Sequence, residues 1–146
     1  MNIITKLAYN ALTKTIQAIA PGGVSVRLAE SESGTYTPIA ANGTNMAAVT
    51  GLTGQFIRVG KTVSVAIQCA VDPTASGAYD FTVTLPIPSD LVATTDVIGS
   101  SVRDESTSLN VGYVNADTAT NAAKITGYAS YTAASNTNIK FTYQIK

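Results

Sequence analysis

Apolar and polar residues alternate from Gly54 to the C-terminus in a series of short runs. The clearest is K-T-V-S-V-A-I-Q-C-A-V at 61–71. Val63, Val65, Ile67, Cys69 and Val71 fall at one parity, and Thr62, Ser64, Ala66, Gln68 and Ala70 at the other. A period of two is the signature of a half-buried antiparallel strand, because successive side chains point to opposite faces. The same period predicts strands at Phe56–Val59, Tyr79–Leu85, Val97–Val102, Leu109–Tyr113, Ile125–Ser130 and Ile139–Ile145. Between them stand turn signals: D-P-T-A-S-G at 72–77, P-I-P-S at 86–89 and R-D-E-S at 103–106, the last read as a charged turn. Val65, Ile67, Phe81, Val83, Phe141 and Tyr143 are the expected core.

The first 20 residues follow another rhythm. Ile3, Ile4, Leu7, Ala8, Ala11, Leu12, Ile16 and Ile19 recur at spacings of three and four, which predicts an amphipathic helix closed by Pro21-Gly22-Gly23. Its apolar stripe either packs on its own domain or docks on another chain. Ile3, Ile4, Leu7, Leu12, Ile16 and Ile19 are the candidate docking or oligomer contacts. Val24, Val26 and Leu28 alternate as a short strand. The polar, small-residue stretch to Thr53, with a turn at Asn42-Gly43, reads as an extended arm. The expected organisation is therefore residues 1–53 as helix and arm, and 54–146 as an all-β antiparallel domain, a jelly-roll-like β-sandwich.

Composition narrows the function. The 146 residues include no His and no Trp, one Cys, and only 12% charged residues in a net charge of zero. Nucleic-acid binding is not expected, since it draws its affinity from a basic patch. Cys69 lies on an apolar strand face with no His to activate it, which makes it a small core side chain. No apolar run approaches the ~18 residues of a membrane span, and Asn10, Thr13, Lys14, Thr15 and Gln17 interrupt any signal-peptide core. Synthesis in the cytoplasm is expected. Asp104-Glu105 is an adjacent acidic pair, yet it reads as a hairpin turn rather than a glycosidase dyad. No phosphate loop, zinc spacing or EF-hand spacing occurs, so no catalytic residue, metal or cofactor is assigned. Among the seven Tyr residues, Tyr36, Tyr128 and Tyr131 sit in polar contexts that suit exposed rings, which stack on sugars or enter interfaces.

Three stretches carry a resemblance. G-Q-F-I-R-V-G-K-T-V-S-V from Gly54, F-T-V-T-L-P-I-P-S from Phe81, and the closing I-K-F-T-Y-Q-I from Ile139 are similar to the C-terminal jelly-roll domains of tailed-phage structural proteins, found in head fibres, tail fibres and capsid decoration proteins. It covers about the last 93 residues and includes no ligand-binding signature. The resemblance implies a homotrimer and a non-enzymatic virion protein. On it rests the expectation of a capsid decoration (cement) protein or short head fibre, held to the major capsid protein or another virion protein by its N-terminal segment. The short chain, with an initiator Met and no shaft repeat, favours decoration over a fibre tip. The alternative is a receptor- or carbohydrate-binding tail-fibre module, whose partner would be a host surface glycan.

Overall fold

The computed structural model describes residues 6–10, 15–19, 25–105 and 108–146, with side chains from Glu30 onward apart from Ser108. They form eleven strands: β1 (Lys6–Asn10), β2 (Thr15–Ile19), β3 (Ser25–Tyr36), β4 (Ala40–Asn42), β5 (Met46–Val59), β6 (Thr62–Pro73), β7 (Gly77–Val83), β8 (Val97–Glu105), β9 (Ser108–Asp117), β10 (Ala122–Ala129) and β11 (Ser135–Gln144). A single 3-10 turn at Thr94–Asp96 precedes β8, and no α-helix occurs among the described residues. The fold is all-β, one antiparallel sheet in the order β1-β2-β3-β5-β6-β11-β8-β9-β10-β7-β4, curled into a half-barrel. Strands β8 to β11 stand in the order β11-β8-β9-β10, the arrangement of a Greek key.

The core follows from the alternation. Along β6 and β11 every second side chain is buried. Val65, Ile67, Phe81, Val83, Phe141 and Tyr143, the residues expected inside, are all buried. Pro86 and Pro88 take the chain after β7 out of the ladder, because Pro lacks the amide hydrogen a ladder needs. The core holds that departure in place. The Tyr143 hydroxyl donates to the Ile87 carbonyl (2.7 Å) and accepts from the Ile87 amide (3.1 Å), and Ser89 Oγ donates to the Gln144 carbonyl (2.9 Å).

Two turns fix the register around the sheet. Gly60, at φ 60°, makes the β5–β6 hairpin; its amide donates to the Glu30 carbonyl (2.7 Å) while Arg58 pairs with the Glu30 carboxylate (3.0 Å). Asn45, at φ 55°, joins β4 to β5. Its side chain accepts from Thr74 Oγ1 and the Ala75 amide, both at 2.7 Å, and donates to the Ala75 carbonyl (2.9 Å). Asn tolerates the left-handed region, and its amide here ties the β4–β5 corner to the β6–β7 turn.

The N-terminal reading is corrected. Lys6–Asn10 and Thr15–Ile19 are strands, not turns of a helix, so Leu7, Ile16 and Ile19 lie on a β-ribbon. Ile3, Ile4 and Leu12 lie outside the described residues. The i, i+3, i+4 spacing also contains short period-two runs, and β-branched Thr15, Ile16 and Ile19 favour strand. The arm is also more ordered than its composition suggested. The second half of β3 pairs with β5 and β4 pairs with β7, so this stretch belongs to the sheet. The boundary drawn at 53/54 falls inside β5.

Candidate functional site

The outer surface of the sheet has two unlike halves. On the β8–β9–β10 half, the alternation of Leu109, Val111 and Tyr113 points outward. All three are more than half exposed, Val111 at 70%. Val111 stands opposite Val102 on β8, Tyr113 opposite Thr126 on β10, and exposed Tyr128 lies on the same strand two residues on. The inward positions of β9 are instead Val114 and Ala116. Contiguous bulky apolar side chains on a sheet face are unusual for a free surface and mark contact sites.

The β5–β6–β11 half carries hydroxyls, amides and one ammonium on β6 and β11, with exposed Ile57 and Val59 beside them on β5. Gln68 stands opposite Asn138, Gln55 opposite Ala66, Ala66 opposite Lys140, and Ser64 opposite Thr142. Two adjoining depressions of about 790 and 610 Å³ lie along these rows and share Thr35, Gln55, Ala66 and Lys140.

The interior holds one polar cluster that the R-D-E-S turn reading missed. Arg103 and Glu105 are on β8, two residues apart, and both point inward; Arg103 is fully enclosed. They form an ion pair. Arg103 Nη2 donates to the Ala133 carbonyl (2.6 Å), the Ser130 amide donates to Glu105 Oε1 (3.0 Å), and the guanidinium lies 5.1 Å from the centre of the Tyr131 ring. The cluster thus holds the 130–134 crossover that carries the chain from β10 to β11. Arg103 Nε and Glu105 Oε2 are buried without a hydrogen-bond partner in the protein. A charge in a strand interior looks like a turn by composition; only its parity with Ser101 and Val97 could have placed it inward.

The other residues of interest are spread apart. Asp104 is exposed while Glu105 is buried, so the adjacent acids face opposite sides and make no dyad. Asp96 accepts from the Val92 and Ala93 amides and pairs with Lys146 (2.6 Å); the Lys146 hydrogen bond, then those amides, lower its carboxyl to about 2. Thr120 and the turn amides hold the Asp117 carboxyl low. Both serve turns. Cys69 is buried, and burial pushes its thiol up to about 12, which removes the thiolate. Tyr36 is half-buried, edge-on to Phe56, and Tyr131 is half-buried over Arg103; Tyr128 alone of the three is exposed. Among the described residues no three His, Cys, Asp or Glu gather as a metal site, and no helix is long and apolar enough to cross a membrane. No protein-family model, curated protein or solved structure matches this chain.

Proposed function

We propose that this chain is a non-enzymatic virion structural protein, a capsid decoration protein or short head fibre that assembles as a homotrimer on the capsid surface. The observation that carries the reading is the outward apolar row of Leu109, Val111 and Tyr113 with Tyr128 beside it. Such a row is costly in water and suits burial against another copy, where aromatic and aliphatic side chains supply most contact energy. Few charges elsewhere on the chain favour close subunit packing. The curled sheet is read as a jelly-roll-like sandwich, supported by the Greek-key order of β8 to β11.

Attachment is assigned to the N-terminal ribbon. Among the described residues β1 pairs only with β2 and β2 only with β1 and β3, so there the ribbon joins the curled sheet through β3. β1 is an edge strand, whose outer side can take a strand of the major capsid protein or another virion protein. A chain starting at Gly22 should keep its fold and its oligomeric mass and lose capsid binding. Antibody labelling of virions tests location: regular labelling over the capsid faces supports decoration, and labelling confined to the tail tip overturns it. The tail-fibre reading, a module for a host surface glycan, has one observation in its favour, the amide-lined trough.

A further inference from the structure

We propose that the trough across β5, β6 and β11 binds an acidic oligosaccharide. This inference is independent of the trimer reading and uses the other half of the outer face. Ala66 forms the floor. Its single methyl leaves a depression between Gln55 on one side and Lys140 on the other, its direct cross-strand neighbours. Gln68 and Asn138 stand side by side one row away. A carboxamide both donates and accepts, as does each sugar hydroxyl, so adjacent amides match a vicinal diol. The two depressions join at Gln55, Ala66 and Lys140, which gives an elongated site. With strands about 4.8 Å apart, the rows from β5 to β8 run roughly 14 Å, room for a short oligosaccharide rather than a single ring.

Charge selects the acidic class. Lys140 and Lys61 make no ion pair among the described residues, where Arg58, Arg103, Lys124 and Lys146 all do, and of the two it is Lys140 that lines the depressions. An unpaired ammonium amid neutral donors and acceptors complements a uronic- or sialic-type carboxylate. Exposed Ile57 and Ile98 stand one row away at the two edges of the larger depression, so the Gln55–Ala66–Lys140 and Gln68–Asn138 rows are its polar part.

The test is a printed array of uronate- and sialate-bearing oligosaccharides with neutral chains of matched length. It is probed with the full chain, with Lys140→Ala, with Lys140→Arg, and with the double variant Gln68→Ala/Asn138→Ala. Circular dichroism and light scattering confirm that each variant keeps its fold and mass. The wild type should be retained on acidic spots, about tenfold more weakly after Lys140→Ala or in 0.5 M salt, with Lys140→Arg restoring most of the signal. The double variant should weaken acidic binding at least as much. Failure to retain any acidic chain, or retention indifferent to both Lys140→Ala and the double variant, overturns the proposal. A changed oligomeric mass in these variants also overturns it and gives the trough to a second copy.

Discussion

The two halves of the outer surface are built on the same strand rule, yet the central strands of each present different chemistry. Around β9 the outward positions are Leu109, Val111 and Tyr113; on β6 and β11 they are Ser64, Ala66, Gln68, Asn138, Lys140 and Thr142. Beneath both lies one continuous apolar interior, with Val65, Ile67 and Phe141 under the polar half and Val114 and Ile125 under the apolar half. Period two identifies which side chains share a face, while only the neighbouring strands decide which face is inside. Here one set of outward residues is suited to another copy of the chain and the other to a hydroxylated ligand.

The comparison supposes a shared interior, and large-to-small changes there should have the greatest effect. Phe81→Ala should destabilise by about 3–5 kcal/mol in urea denaturation, since the ring is fully enclosed. Arg103→Ala should cost a similar ~3–5 kcal/mol, because it strands the Glu105 carboxylate inside. A combined Arg103→Met/Glu105→Leu variant should recover much of that loss. If Arg103→Ala alone were neutral, the buried pair would not be holding the 130–134 crossover.

Alkaline pH should weaken the interior next. Burial pushes the Cys69 thiol and the Tyr143 hydroxyl up to about 12 each, and raises Tyr36 and Tyr79 as well. The unfolded chain releases these protons first, near the ordinary 9.0 of Cys and 10.0 of Tyr. The stabilisation is therefore complete below about pH 9 and lost as pH rises toward 12. Thermal melts between pH 8 and 12 should show the midpoint falling across that window. A flat profile would mean that these groups are open to water. Ser64→Ala should have the smallest effect, under ~1 kcal/mol, because the hydroxyl faces outward and meets only Thr142 at 3.3 Å.

The interior was legible because β6, β7 and β11 place β-branched and aromatic residues at strict parity, which a sheet with one buried face requires. Three features were not. The 1–20 stripe satisfies helical spacing, yet Lys6–Asn10 and Thr15–Ile19 pair as strands; local periodicity in so short a run does not separate the two. Arg103 and Glu105 carry turn chemistry in sequence and are buried by the strand that contains them. The amide trough is assembled from the β5–β6 hairpin and from β11, which is distant in sequence, so no local motif announces it. Candidate contacts Ile3, Ile4 and Leu12 lie outside the described residues, while Leu7, Ile16 and Ile19 are strand positions.

In the proposed assembly the β9 face is covered by other copies of this chain. Light scattering at micromolar concentration tests it most directly, on the wild type and on Val111→Asp. The account predicts a wild-type mass three times the 15.0 kDa of one chain, and a folded Val111→Asp variant whose mass falls to that of one chain. A wild type that scatters as a single 15.0 kDa chain would contradict it, as would a Val111→Asp variant that remains trimeric.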